Sequence, residues 1–195
     1  MALRSSFMAA IALLVVAGCG DETSLSLGRA TIDGTIAGSP LEPVSVISGT
    51  KVGYTFVFTR LETTHTAVAI SDFPDRCGTE TVIGRTLYLS LFENPTLPVS
   101  VVSQPGTFDV WLPALDGQSD PGPGNRAIVQ FMRETNDGGY GQLAQSGTVT
   151  VERVSSEEIS GSFDVMIGSD HVTGSFRAPI CEPWTRSGDI PAPSS

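Results

Sequence analysis

The sequence predicts an all-β domain, either a single antiparallel β-sandwich or a partly closed barrel of about 8–10 strands. From residue 30 onward, apolar residues recur with a period of two in one short segment after another. Turn residues (Gly, Pro, Asn and Asp) separate these segments at short intervals. No window after the first twenty residues has the 3.6-residue period of an amphipathic helix. These three observations together favour a sheet that is built from hairpins.

The first half of the chain contains five candidate strands. Alternation over residues 30–37 predicts the first strand, which Gly38 and Pro40 end. Asp72 and Asp75 predict a turn that leads to Cys77. The segments rich in β-branched and aromatic residues, which predict the other strands, are 44–47, 52–59, 65–70 and 86–92.

The second half alternates more regularly. Strands are predicted at 106–112 and 127–134, and the Gly/Pro-rich segment 116–125 between them predicts a long loop. Asn136-Asp137-Gly138-Gly139 is typical of a hairpin turn. The last three predicted strands, which would form an antiparallel meander, are 147–154, 159–167 and 172–178.

A short motif occurs in both of the last two strands. Gly161 precedes Phe163 by two residues, and Gly174 precedes Phe176 by two residues, so each pair shares one face of its strand. We interpret the glycines as space for the aromatic rings of neighbouring strands. A duplicated ligand-binding motif is the alternative interpretation.

Length and charge limit the classes of protein. The chain has 195 residues, which suits one domain of ordinary size. Its formal net charge is −10, and no basic cluster follows Arg4, so we expect no nucleic-acid partner. For the same reason we expect no electrostatic adsorption to anionic lipid.

The N-terminus has the pattern of an export signal. A basic residue, Arg4, precedes an apolar run from Phe7 to Val16, which is too short to span a bilayer. Val16-Ala17-Gly18-Cys19 then resembles the lipobox of bacterial lipoproteins. The resemblance implies cleavage before Cys19 and acyl chains, palmitate among them, on that residue. An ordinary signal peptide that happens to contain a cysteine is the alternative.

This resemblance divides the chain. We expect a lipoprotein signal peptide at 1–18, a tether at 19–28, the β-domain at 29–182 and a disordered Pro/Ser-rich tail at 183–195. In Gram-negative lipoproteins an aspartate directly after the cysteine is the usual signal for inner-membrane retention. Gly20 occupies that position, so we expect the outer membrane rather than the inner membrane.

If Cys19 is acylated, two cysteines remain, Cys77 and Cys181, in an oxidising compartment. We expect them to form a disulfide. Two buried free thiols, or a redox pair, are the alternatives, although neither cysteine lies in a C-x-x-C motif. The order of features from lipobox to final cysteine is also similar to a loose group of β-rich bacterial lipoproteins. That similarity supports the fold and the disulfide, and it implies no active site.

No motif for catalysis or cofactor binding stands out. The histidines His65 and His171 both lie in predicted strands, where we expect them to face solvent, and no G-x-S-x-G motif is present. Asp116 and Asp120 are candidate calcium ligands in one loop, as Asp72 and Asp75 are in another. The spacing of a calcium loop is absent, so turn formation is the preferred interpretation and we expect no metal and no cofactor.

The expected function follows from the anchor and from this lack of catalytic motifs. We expect a non-catalytic, lipid-anchored interaction or structural module of the bacterial envelope, whose partner is an envelope protein or a glycan. A carbohydrate-binding or small-ligand-binding β-domain is the alternative, and a hydrolase is a third possibility. Tyr140, between Gly139 and Gly141, is the aromatic residue that we expect to be exposed.

Overall fold

The structure, a computed structural model, describes residues 28–54, 62–74, 77, 83–95, 99–112, 122–136 and 138–181. Within these ranges all regular secondary structure is β-strand, which confirms the all-β prediction. The same ranges contain no helix with the length and apolarity to cross a membrane. The predicted signal peptide, Cys19, the rest of the tether before Gly28, the candidate ligands Asp116 and Asp120, and the tail lie outside the described residues.

Ten strands occur in the described part of the chain. They are β1 (Arg29–Asp33), β2 (Ser45–Tyr54), β3 (Glu62–Ser71), β4 (Gly84–Phe92), β5 (Val99–Ser100), β6 (Gly106–Val110), β7 (Arg126–Thr135), β8 (Gly138–Val154), β9 (Glu158–Ile167) and β10 (Asp170–Pro179).

All ten strands belong to one sheet, with the order β1-β10-β9-β8-β6-β7-β4-β3-β2, and β5 pairs with β3. Most neighbours are antiparallel, as expected, but β5 runs parallel to β3 and β6 runs parallel to β7. The sheet is therefore mixed. The two parallel pairs arise because β5 and β6 are short strands in the long connection between β4 and β7, which must cross the sheet before the chain returns.

The sheet curls into a nearly closed barrel rather than a sandwich. The curvature of the sheet brings the end of β10 beside β2, where Ser48 and Ile180 form a parallel bridge. The Cys181 amide donates to the Ser48 carbonyl at 2.7 Å, and the Ser48 hydroxyl donates to the Pro179 carbonyl at 3.0 Å. A side chain at Gly28 would lie 2.3 Å from the Val46 carbonyl, so only glycine fits beside this closure. We call this region the barrel closure.

Large apolar side chains fill the barrel interior. Successive inward positions of β4 (Leu87, Leu89 and Leu91) are fully buried, as the period of two requires. The facing strands contribute aromatic and β-branched side chains to the same cluster, among them Phe108, Val129, Phe131, Val149, Val165 and Ile167. The interior is a packed core.

A second, smaller cluster covers the outer face of β2 and β3. Ile47, Ala69 and Cys181 are its buried members, and Cys77 and Tyr88 pack against it. As a result both faces of β3 are buried, since Val68 and Ile70 face the barrel interior. Cys77 and Cys181 form the expected disulfide, with a Cα–Cα distance of 5.3 Å and a sequence separation of 104 residues. This bond ties the connection after β3 to the barrel closure.

Three predicted strand boundaries are wrong. The first strand ends at Asp33 rather than at residue 37, because Gly34 has a φ of 113° and Ala37 has a φ of 51°. Two separate strands are predicted at 44–47 and 52–59, but residues 45–54 form one continuous strand, β2, that runs through Gly49. Residues 55–59 lie outside the described residues. The strand predicted from 147 begins at Gly138, because hairpin pairing with β7 orders a glycine- and glutamine-rich segment without clear alternation.

The glycine–phenylalanine motif has the packing role that its spacing predicts. In the β9–β10 ladder, Gly161 lies opposite Phe176 and Gly174 lies opposite Phe163. A Cβ atom at Gly174 would lie 2.5 Å from the Phe163 ring, and one at Gly161 would lie 3.1 Å from the Phe176 ring. Each glycine therefore makes room for the phenylalanine of the neighbouring strand.

Candidate binding cleft at one end of the barrel

One end of the barrel carries an open cleft of about 370 Å³. Three chain segments surround it: residues 36–39 between β1 and β2, the start of β4, and the hairpin that joins β7 to β8. Its volume lies within the range of small-ligand sites. We call it the hairpin cleft.

The register of β4, β7 and β8 brings three polar side chains together in this cleft. Arg85 lies opposite Arg133, and Arg133 lies opposite Tyr140. The next inward rung of the same strands contains Leu87 and Phe131, which are core residues. Because side chains alternate between faces, the Arg85–Arg133–Tyr140 row continues the inward face beyond the core, at the barrel mouth.

Arg85 is fixed by hydrogen bonds at the wall of the cleft. Its Nε donates to Asp72 Oδ2 at 2.6 Å, and its Nη1 donates to the Pro40 carbonyl at 2.8 Å. Asp72 Oδ1 also accepts the Arg85 amide at 2.8 Å. Since both side chains are less than one-third exposed, this ion pair is a structural support for the turn between β3 and β4. Asp72 therefore stabilises the turn, which is the role that the sequence analysis preferred for it. Asp75 lies outside the described residues.

Arg133 and Tyr140 are the accessible pair. Arg133 is exposed, and among the described residues its guanidinium has no hydrogen-bond or ion-pair partner. Tyr140 is 50% exposed, which agrees with the expectation for that aromatic residue, and its hydroxyl donates to Gln142 at 3.1 Å. That hydrogen bond holds the hydroxyl while leaving ring surface open to solvent. Ile83, also exposed, adds an apolar side chain to the rim.

Glu134 is the unusual group in the cleft lining. Its cross-strand neighbours are Gly84 on β4 and Gly139 on β8, so no side chain stands directly beside it in the sheet. Its Oε2 is buried, and within the described ranges this atom has no hydrogen-bond partner. A buried carboxylate oxygen without a donor is costly. Because Glu134 directly follows Arg133 along β7, its side chain lies on the opposite face of the sheet from the Arg85–Arg133–Tyr140 row.

Packing and hydrogen bonds hold the segments around the cleft in place. A Cβ atom at Gly84 would lie 2.2 Å from the Phe73 ring, so Phe73 fills the space beneath that glycine. On the opposite side, Ile36 is buried in the core and Ile36 and Ser39 exchange backbone hydrogen bonds. The Ala37 amide donates to Asp170 at 2.8 Å. These contacts hold the connection between β1 and β2 in place over the barrel end.

Neither histidine lines this cleft. The prediction that both face solvent is wrong for His65, which is buried against Phe92 with a ring-centroid distance of 4.7 Å. It is buried because both faces of β3 are covered. His171 does face solvent, and its Nε2 lies 2.7 Å from Asp164 Oδ1. In the part of the chain that the structure describes, no group of three or more His, Cys, Asp and Glu side chains could hold a metal ion.

A second depression, of about 300 Å³, lies near the hairpin between β8 and β9. It contains one ion pair, in which Arg177 Nε donates to Glu158 at 2.5 Å. The hairpin cleft differs from it by having an exposed aromatic side chain, Tyr140, in its lining.

Sequence reasoning identified Tyr140 but missed Arg85, Arg133 and Glu134. The hairpin signal at residues 136–139 could have identified Arg133 and Glu134, because pairing across this turn places Arg133 beside Tyr140 and Glu134 beside Gly139. Arg85 comes to the same row only through the β4–β7 pairing, which joins distant parts of the chain.

The comparisons with known proteins add no relative. No family model, no curated protein and no solved structure matches this chain.

Proposed function

We propose that this chain is a lipid-anchored, non-catalytic binding domain of the bacterial envelope, with the hairpin cleft as its binding site. The observation that carries the proposal is the contrast between the filled barrel interior and the cleft at its end. In the part of the chain that the structure describes, buried apolar side chains occupy the barrel interior and form its core. The cleft presents the exposed aromatic ring of Tyr140 opposite Arg133, which has no partner in the described residues.

The start of the barrel suits an anchored protein. Strand β1 begins at Arg29, directly after Gly28. Eight residues separate Cys19 from Gly28, and such a segment spans at most about 30 Å when fully extended. In this proposal the acyl chains hold the barrel near the bilayer.

The non-catalytic part of the proposal draws on the partners of the reactive side chains. His171 pairs with Asp164 outside the cleft, and His65 is stacked on Phe92. In the cleft, Asp72 is engaged by Arg85. General acid–base chemistry needs a group within reach of substrate. These three side chains are engaged or lie outside the cleft, and Glu134 lies on the opposite face of β7 from the Arg133–Tyr140 row.

The anchor is tested by Cys19→Ser in bacterial cells, with Ser24→Ala as a matched control in the tether. The unaltered chain and the control should partition into the detergent phase, and mass spectrometry should find an acylated N-terminal peptide that begins at Cys19. Cys19→Ser should remove the acylated species. Unchanged partitioning and processing of Cys19→Ser would show that the lipobox interpretation is wrong.

The expected membrane is tested by Gly20→Asp in a Gram-negative host. The change creates the retention signal directly after the cysteine. We expect the protein to move from the outer-membrane fraction to the inner-membrane fraction on a sucrose gradient. An identical distribution of both forms contradicts outer-membrane targeting through Gly20.

A further inference from the structure

We infer that the hairpin cleft binds a carbohydrate, with Tyr140 as the stacking surface and with Arg133 as the hydrogen-bonding group. This inference names the ligand class of the proposed function and rests on it. Three features of the cleft support it: its aromatic surface, the hydrogen-bond donor opposite that surface, and its charge balance.

The aromatic surface comes from Tyr140. Half of this residue is exposed, and its hydroxyl is held by Gln142, so little side-chain freedom is lost when a ligand packs on the ring. The apolar C–H face of a sugar ring can lie on such an aromatic surface, which excludes water from both. Ile83 extends the apolar part of the rim.

The polar group beside the ring is a hydrogen-bond donor. A sugar hydroxyl donates one hydrogen bond and accepts others. Arg133 is exposed, has no partner within the described residues, and lies directly opposite Tyr140. Because both residues belong to the same inward row, a polyhydroxylated ring on Tyr140 could accept hydrogen bonds from this guanidinium.

The charge balance favours a ligand without strong net charge. Two arginines (Arg85 and Arg133) and two carboxylates (Asp72 and Glu134) line the cleft, so their formal charges cancel. Arg85 and Asp72 already neutralise each other in an ion pair. A site for phosphate or another strong anion would show an excess of positive charge, whereas hydroxyl groups are suited to a neutral mixture of donors and acceptors.

Saturation-transfer NMR on the full chain, purified in detergent, tests this inference. The probes are maltotriose, a neutral sugar, chitotriose, a neutral N-acetylated sugar, and trigalacturonate, which is strongly anionic. Lactate and alanine serve as non-sugar controls for a simple carboxylate or amino-acid site. We expect saturation transfer to maltotriose or chitotriose, and none to trigalacturonate or to either control compound.

Two variants connect the signal to the cleft. Tyr140→Ala and Arg133→Ala should each weaken sugar binding by about tenfold or more, because each removes a stacking or hydrogen-bonding contact. The matched controls are Leu112→Ala, an exposed apolar residue outside the cleft lining, and Arg153→Ala, an exposed arginine elsewhere. Both should bind as the unaltered chain does. Circular dichroism and an intact disulfide establish that each variant is folded.

The outcomes separate this inference from the anchor. Cys19→Ser should bind sugar with unchanged affinity, since the cleft is far from that residue in the chain, even though its membrane attachment is lost. No transfer to maltotriose or chitotriose, transfer only to trigalacturonate, lactate or alanine, or equal binding by Tyr140→Ala and Leu112→Ala overturns the inference. None of these results depends on whether Cys19 is acylated.

Discussion

The disulfide should supply a large part of the barrel's stability. Cys77 and Cys181 are 104 residues apart, and in the chain-entropy model a cross-link of that span stabilises the folded state by about 5 kcal/mol. The bond also joins the outer cluster to the barrel closure, where Cys181 is only 2% exposed. We expect Cys77→Ala to lower the free energy of unfolding by about 3–5 kcal/mol and the melting temperature by about 10–15 °C.

Urea denaturation followed by tryptophan fluorescence measures this change. Cys77→Ala is preferred to Cys181→Ala because it removes the cross-link and leaves the buried Cys181 side chain in its cluster. The unaltered protein under strong reducing agent is the matched control and should lose the same stability as the variant. A loss below about 1 kcal/mol, or a reduced protein as stable as the oxidised one, would refute the role given to this bond.

Three further substitutions test the packing of the barrel. Leu89→Ala, at a fully buried position, should cost about 2–5 kcal/mol in urea denaturation, and a loss under 1 kcal/mol would contradict a filled interior. Gly174→Ala should destabilise by about 1–3 kcal/mol, because its Cβ would lie 2.5 Å from the Phe163 ring. Gly139→Ala, whose Cβ would meet no atom closer than 3.7 Å, is the control, and equal stabilities would exclude the packing role. Ser48→Ala should cost about 1 kcal/mol and speed amide exchange at the barrel closure; unchanged exchange would contradict its role there.

Local sequence patterns predicted the strands that have one buried face and one exposed face. Alternation in β9 and β10 located both strands, and the Gly-x-Phe spacing predicted that the glycines make room for rings of neighbouring strands, as Gly161 does for Phe176. The pattern failed where tertiary pairing decides the structure. The 138–146 part of β8 lacks alternation and is a strand because β7 pairs with it. The prediction for His65 failed because Phe92 of the neighbouring strand stacks on its ring, a contact that no local pattern reports.

The residues of the hairpin cleft also divide into those that a local pattern predicts and those that depend on pairing between distant strands. Tyr140 was identified from its flanking glycines, and its pairing with Arg133 follows from a short hairpin. Arg85 and Asp72 reach the cleft through strand order, and the unpartnered oxygen of Glu134 depends on its glycine neighbours on two other strands. A single sequence determines neither strand order nor the register between distant segments. The position of these residues at the cleft therefore could not be predicted from it.

Site-specific photo-crosslinking in intact bacterial cells tests the central claim most directly. A benzoylphenylalanine replaces Ile83 at the rim of the hairpin cleft, and in a separate strain it replaces the exposed Leu112 outside the cleft lining. An anchored barrel that binds glycan in its cleft predicts a sugar-containing adduct at position 83 in the membrane fraction, none at position 112, and no adduct in the membrane fraction when Cys19→Ser is added. Equal capture at both positions, or no glycan adduct at position 83 in the anchored protein, would contradict the account.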